Sequence, residues 1–185
     1  MASRRAVAQS ERLRKVRDEF WPDADAWTGA ASIDDGWFKA PRTLPLILGL
    51  IRDKRLSLKG DPTTVYLELL SRQFGDGIVE IQNQAEHAYA AGYTSERGAK
   101  RTWEEHMRLL ASLGFIKIKA VGANPFKYVL IVHPSTVIHE LGEKGLVPEE
   151  WMAVYRDRCI VTKELSYEER QAARRRSKIQ SIAAG

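Results

Sequence analysis

Residues 81–132 constrain the fold of this chain more than any other segment. Bulky apolar side chains recur there at intervals of three and four, at Trp103, Met107, Leu110 and Leu113. This spacing places them on one face of a helix, while the charged residues between them take the opposite face. The pattern predicts an amphipathic helix with one face in a protein core and the other directed toward a polar partner.

The residues before this helix predict that it is the second member of a helix-turn-helix. Residues 82–91 are predicted to form the first helix, and Gly92 supplies the backbone freedom that a sharp turn between two helices needs. Thr94 or Ser95 is expected to cap the second helix, which is predicted over residues 95–113.

The residues after this helix predict a β-hairpin. Gly114 is placed to end the helix, and alternating Ile and Lys over residues 115–121 indicate an outgoing strand. A turn is predicted at residues 122–125 and a returning strand at 126–132. A brief strand at 78–81 is expected to join the same sheet.

The rest of the chain divides by composition and pattern into four parts. Residues 1–33 are predicted to be a basic N-terminal helical arm and linker, and residues 34–134 a domain with two further helices before the helix-turn-helix. Residues 135–165 are predicted to form C-terminal helices with a possible dimerisation surface, and residues 166–185 a basic tail. Arginines are concentrated near both ends, at Arg12, Arg14, Arg17, Arg174, Arg175 and Arg176.

Composition narrows the classes of function. A net charge of +5 and a sequence pI of about 9.4 favour a polyanionic partner such as nucleic acid. The single cysteine, Cys159, excludes an intrachain disulfide and a thiolate metal cluster. The sequence has no long apolar run and no recognised catalytic or metal-binding motif. We therefore expect a cytoplasmic protein that is not an enzyme, with no cofactor, no metal and no membrane association.

The chain resembles winged helix-turn-helix DNA-binding proteins over roughly residues 37–134. The resemblance rests on Pro41-Arg42-Thr43-Leu44, on Val65-Tyr66-Leu67-Glu68-Leu69-Leu70, and on residues 101–116 as recognition helix and start of the wing. It is strongest to bacterial regulators and to replication or maintenance proteins of plasmids and other mobile elements. It implies a mainly α fold with a small β-hairpin wing (α+β) that binds double-stranded DNA. Glu104 and Glu105 depart from it, since related recognition helices often carry Ser, Arg or Lys there.

Eight residues are the candidate DNA contacts. Guanidinium and ammonium groups on the second helix suit guanine edges and phosphates, and polar groups on the hairpin suit the DNA backbone or minor groove. The candidates are Arg97, Lys100, Arg101 and Arg108 on the helix, and Lys117, Lys119, Asn124 and Lys127 on the hairpin. The alternative is an ordinary charged helix face, with Lys100 paired to Glu104 and Arg101 to Glu105, and hairpin lysines that only guard a sheet edge.

The expected function is binding of double-stranded DNA, as a homodimer on a symmetric site, in transcription regulation or in plasmid replication or partition. A second hypothesis is a winged helix that serves as a protein-interaction module, using Glu104, Glu105 and the C-terminal helices, with only nonspecific affinity for nucleic acid. A third is single-stranded nucleic-acid binding with Trp103 as a stacking platform, although its helical periodicity favours a place in the core.

Overall fold

The protein is mainly helical with a small antiparallel sheet, as expected for the α+β class. A computed structural model describes residues 4–24, 33–34, 37–38, 40–53, 55–57, 60–73, 76–95 and 98–183. Its helices are α1 (Arg4–Phe20), α2 (Leu44–Ile51), α3 (Thr63–Arg72), α4 (Gln84–Ala90), α5 (Ala99–Leu113), α6 (Pro134–Glu143), α7 (Glu149–Thr162) and α8 (Tyr167–Ala183). Its strands are β1 (Ile33–Asp34), β2 (Trp37–Phe38), β3 (Ile78–Glu80), β4 (Ile116–Val121) and β5 (Asn124–Ile131).

The main sheet has the order β3-β5-β4, and both pairs of strands are antiparallel. Val129 at the centre of β5 pairs with Val79 of β3 on one side and with Ile118 of β4 on the other. The turn between β4 and β5 contains only Gly122 and Ala123, which makes it shorter than the predicted turn. The predicted hairpin and the predicted brief strand are therefore confirmed as parts of one sheet.

The apolar face of α5 fills the centre of the main core, as its periodicity predicted. Trp103, Met107 and Leu110 are each fully buried. The Trp103 ring meets Phe126 of β5 edge to face, with 5.3 Å between ring centroids, and Tyr66 of α3 belongs to the same cluster. Burial of a large apolar side chain contributes about 1.5 to 3 kcal/mol, so these contacts fix the orientation of α5.

The start of α5 differs from the prediction. The helix begins at Ala99 after the N-cap residue Gly98, and no side chain caps it. Thr94 and Ser95 are exposed residues of the turn, so the expectation that one of them caps this helix is wrong. Instead, the backbone carbonyl of Ser95 accepts a hydrogen bond from the Ala99 amide at 3.2 Å. The amides of the first turn of a helix have no carbonyl partner within the helix, and this bond supplies one for Ala99 without a side chain.

Helix α1 covers the face of the sheet that α5 does not occupy. Leu13, Trp21 and Ala24 are buried against Ile78, Tyr128 and Leu130 of the sheet, in a second apolar cluster. A helix was predicted within this segment, but the sequence did not indicate what it packs against. The sheet is thus enclosed between α1 and the main core.

Ion pairs fix α1 along the edge of the sheet. Arg12 pairs with Glu80 of β3, Arg14 lies 3.2 Å from Asp76, and Arg17 is buried beside Asp76 and pairs with Asp18 at 2.7 Å. The pKa of Arg12 is raised by its hydrogen bond and its charge interaction with Glu80. Arginines that were expected on a basic arm therefore contact carboxylates of the same chain.

The C-terminal helices extend the domain on the side of α6. Tyr155 and Cys159 of α7 are buried in the main core, whereas Val154 and Ile160 are exposed. Helix α8 forms within the segment that was expected to be a basic tail, and it packs on α6 through stacked rings of His139 and Tyr167, with centroids 4.1 Å apart. Among the described residues, no helix is both long and apolar enough to cross a membrane.

We predict that Leu13→Ala lowers the free energy of unfolding by about 2 to 5 kcal/mol, because the substitution leaves a cavity under α1. Leu13 is 3% exposed, whereas Lys15 on the same helix is exposed. Lys15→Ala is therefore the control and should change stability by less than about 0.5 kcal/mol. Urea unfolding followed by circular dichroism measures both. Equal midpoints for the two variants would show that α1 does not pack on the sheet.

Candidate nucleic-acid interface

Helix α4, which the sequence predicts as the first helix of a helix-turn-helix, is capped at its start and is followed by a sharp turn. Asn83 Oδ1 accepts hydrogen bonds from the amides of Ala85 at 3.1 Å and Glu86 at 3.4 Å. After the helix, Gly92 adopts a φ of +91°, which side chains rarely tolerate. The Tyr93 amide then donates to the Ala88 carbonyl at 3.0 Å. This turn directs the chain toward α5.

Polar contacts around the buried side chain of Glu68 hold α4 against α3. His87 Nδ1 lies 3.0 Å from Glu68 Oε1, and both residues are buried. Arg72 pairs with Glu68 and also with Glu86, at 2.9 Å. A buried carboxylate without partners would cost several kcal/mol, so these contacts fix the position of α4 relative to α3.

A second polar contact joins the turn to α5. The Tyr93 hydroxyl hydrogen-bonds with Nδ1 of His106, whose ring is buried. On the other side of the imidazole, Gly60 has a φ of +140°, and a Cβ there would overlap His106 Nε2. Burial lowers the pKa of His106, although the charges of Asp61 and Glu105 oppose the shift. The outer face of α5 is consequently presented from a fixed base.

That outer face carries three cations and two carboxylates in alternation. The side chains of Lys100, Arg101 and Arg108 are 61%, 85% and 59% exposed. Lys100 lies 3.9 Å and Arg108 3.1 Å from carboxylate oxygens of Glu104, and Arg101 lies 3.0 Å from Glu105. Pairing within the helix, which was the alternative for Lys100 and Arg101, is thus present, and Arg108 is paired in the same way. Arg97, the fourth candidate on this segment, lies outside the described residues.

Arg108 also links this face to the hairpin. Its guanidinium carbon lies 5.2 Å from the centre of the Phe126 ring at the start of β5. Phe126 is buried against Trp103, so the cation rests on an aromatic ring whose position is fixed. The exposed cations of α5 therefore continue toward the hairpin side of the helix.

The hairpin lysines are on the other side of the sheet or are paired. Lys117 and Lys119 pair across the strands with Leu130 and Tyr128, which face α1. The ammonium of Lys119 lies 5.0 Å from the Phe20 ring centre, and burial lowers the pKa of Lys117. Lys127 lies 3.0 Å from Glu80. The structure does not bring these three lysines together with the cations of α5.

Asn124 has a structural environment. Its Nδ2 donates to the Ile81 carbonyl at 2.8 Å, while its Oδ1 accepts from Gln84 Nε2 at 2.9 Å and from the Phe126 amide at 3.0 Å. These bonds attach the hairpin to the start of α4. The amide of Asn124 therefore positions the hairpin, and little of its bonding capacity remains for a ligand.

One exposed residue beside the turn was not a candidate from the sequence. Tyr89 on α4 is 71% exposed, although aromatic side chains are usually at least half buried. Its neighbour Ala88 is buried, so the helical periodicity around Ala88 could have indicated that Tyr89 points outward. Tyr89 adds an aromatic ring and a hydroxyl to the exposed surface of α4 just before the turn.

Comparisons with protein-family models, with curated proteins and with solved structures found no match for this chain. Within the described part of the chain, no group of three or more His, Cys, Asp or Glu side chains is arranged to hold a metal ion. Function is therefore inferred from the residues and contacts of α4, α5 and the hairpin.

We predict that Asn124→Ala destabilises the protein by about 1 to 3 kcal/mol, because Ile81, Gln84 and Phe126 lose their hydrogen-bond partner. Ala123→Ser, at the adjacent exposed position in the turn, is the control and should leave stability unchanged. Thermal unfolding compares the two. Unchanged stability of Asn124→Ala, together with weaker binding to nucleic acid, would instead make Asn124 a contact residue.

Proposed function

We propose that this protein is a winged helix-turn-helix protein that binds double-stranded DNA through the exposed face of α5. The observation that carries the proposal is the contrast between the two faces of this helix. One face is fully buried at Trp103, Met107 and Leu110, while the other exposes Lys100, Arg101 and Arg108. A helix held in this way can enter the major groove without any change in the core.

The order of elements supports the proposal. Strand β3 precedes α4 and α5, β4 and β5 follow them, and β5 lies between β3 and β4 in the sheet. In this arrangement a hairpin directly follows α5, which we propose as the second helix of a helix-turn-helix. It is the connectivity that the winged helix-turn-helix resemblance implies.

The dimensions of the exposed face suit the groove. Arg108 lies eight positions after Lys100, which corresponds to about 12 Å along a helix axis. The major groove of B-form DNA is also about 12 Å wide, so cations at both ends of this row can reach phosphates or base edges. Tyr89, Thr94 and Ser95, exposed in or next to the turn, add hydroxyl groups that suit phosphate oxygens.

The two carboxylates of α5 need not prevent binding. An exposed ion pair contributes only about 0 to 1 kcal/mol, so phosphates can replace Glu104 and Glu105 as partners of the cations at low cost. A carboxylate in the major groove also accepts a hydrogen bond from the exocyclic amine of cytosine. We therefore propose that Glu104 and Glu105 make binding selective for certain bases, while the cations supply affinity.

The proposed mechanism is binding without catalysis. Occupation of a promoter would make the protein a transcription regulator, and occupation of an origin or partition site would give it a role in the replication or maintenance of a mobile element. The same contacts serve both roles, and the position of the bound sequence in a genome distinguishes them.

We predict that Arg101→Glu combined with Arg108→Glu weakens binding to duplex DNA at least 100-fold at about 0.1 M salt. Loss of two phosphate contacts should also reduce the slope of log K against log salt by about 2. The duplex is first selected from a random pool, and binding is then measured by fluorescence anisotropy.

Lys144→Glu combined with Arg158→Glu is the matched control, since it reverses two exposed charges outside α5. We expect the control to bind within about threefold of the wild type at the same salt concentration. Equal losses in both variants would mean that net charge alone attracts DNA, and unchanged affinity in the α5 variant would refute the proposed interface. Either result would favour a protein-interaction module.

A further inference from the structure

Over residues 167–176, the part of α8 whose side chains the structure describes, one face packs on the body of the protein and the other has no partner. Tyr167 stacks on His139 of α6, and the Arg170 guanidinium donates to the Ser135 hydroxyl at 3.1 Å. Burial lowers the pKa of Arg170. Gln171 and Arg174 are half-buried on the same side. These contacts determine which residues of α8 point away from the body.

The outward face of α8 has a fixed pattern of charge. Glu169, Ala172, Ala173 and Arg176 are all exposed and follow the spacing i, i+3, i+4 and i+7, which places them in one row. The row is acidic at its N-terminal end and basic at its C-terminal end, and it has only methyl side chains between the two charges.

Neither charge of this row has an ion-pair partner within its own helix. Along a helix, a carboxylate and a guanidinium can pair when they are three or four residues apart. Between Glu169 and Arg176, the positions at those separations from either charge are occupied by the two alanines. Glu169 and Arg176 are seven residues apart, about 10.5 Å along the axis. Among the described residues, Glu169 accepts a hydrogen bond from the Ser166 amide at 2.8 Å, and neither Glu169 nor Arg176 forms an ion pair there. The cations of α5, in contrast, all pair within their helix.

We propose that α8 is the contact surface of a homodimer, in which two copies of α8 pack antiparallel across a twofold axis between Ala172 and Ala173. In this register Glu169 of each copy lies opposite Arg176 of the other. The row is thus complementary to itself, which is the condition for a contact that uses the same patch on both subunits. A parallel arrangement would place like charges together, so the charge pattern selects the antiparallel one.

The alanines allow the two helices to approach closely. Small side chains at the point of contact permit an interaxial distance of about 8 Å, near the lower limit for packed helices. Glu169 Oε2 accepts the hydrogen bond from the Ser166 amide, so contact with the Arg176 guanidinium of the second copy uses Oε1. Leu165, just before α8, is 52% exposed and adds apolar surface near the end of the contact.

A second copy fits this face better than nucleic acid does. Arg175 and Arg176 alone would attract phosphates, but Glu168 and Glu169 lie exposed on the same side of α8 and repel them. A second α8 neutralises the charges at both ends of the row. Because exposed ion pairs are weak, we expect a dissociation constant of about 1 to 100 µM that rises with salt.

This dimer would present two copies of α5 to a duplex, related by a twofold axis; that consequence alone rests on the proposed function. A protein with twofold symmetry binds two half-sites of an inverted repeat. Helix α8 packs on α6, and the proposed dimer contact uses none of the exposed cations of α5.

Sedimentation equilibrium of the full chain without DNA, at about 1 to 200 µM, tests the dimer. We expect Glu169→Arg and Arg176→Glu each to weaken self-association at least tenfold, because each places like charges opposite one another. The double variant Glu169→Arg with Arg176→Glu restores complementarity, and we expect it to associate within about threefold of the wild type. Arg176→Glu leaves the bond between Ser166 and Glu169 intact, and circular dichroism confirms that each variant is folded.

Three results would overturn the proposal: a wild-type protein that stays monomeric, single variants that associate as well as the wild type, or a double variant that does not recover. The second of these results, combined with weaker DNA binding by Arg176→Glu, would make Arg176 a DNA contact. Because association is measured without DNA, the dimer and the DNA-binding proposal can fail independently of each other.

Discussion

The burial of one face of α5 is the contact on which the rest of the structure depends. Trp103 packs between Phe126 of the sheet and the His87 side of α4, and no part of it is exposed. The hairpin, the turn and α4 are therefore positioned around the same side chain. Since the buried face cannot rotate out without a loss of several kcal/mol, the cations on the opposite face are held outward. The proposed DNA contact follows from that constraint.

The role of each charged side chain in this protein depends on its oppositely charged neighbours. Such a neighbour lies three or four residues away on the same helix, lies on a distant segment of the fold, or is missing. On α1, the arginines meet Glu80 and Asp76 of the same domain and hold the helix on the sheet. On α5 the cations pair with carboxylates of their own helix, and such exposed pairs exchange readily for phosphates. On α8 alanines occupy the positions of possible partners, so Glu169 and Arg176 form no ion pair within the helix. A net charge of +5 does not distinguish these situations.

The sequence predicted the parts of the fold that local periodicity encodes. The spacing of Trp103, Met107 and Leu110 identified the buried face of α5, and the alternation after Gly114 identified the hairpin. Contacts between distant segments were not predictable in this way. Alternation shows that Lys117 and Lys119 share one face of a strand, but only the fold shows that α1 covers that face. The start of α5 was also missed, because a hydrogen bond from the Ala99 amide to the Ser95 carbonyl replaces the expected side-chain cap. Three of the eight candidate contacts are exposed on one surface of α5: Lys100, Arg101 and Arg108. Four others contact other parts of the fold: Lys117, Lys119, Asn124 and Lys127. The eighth, Arg97, lies outside the described residues.

Hydrogen–deuterium exchange of the protein with and without a selected duplex tests the central claim most directly, because it maps the bound surface without substitutions. If α5 enters the major groove, slower exchange should appear in the turn at residues 92–95 and in the first turns of α5, with smaller changes at the tip of the hairpin. Amides of α7 should exchange as in the free protein. Slower exchange confined to α7 and α8, or exchange unaltered by a duplex that binds, would contradict α5 as the interface.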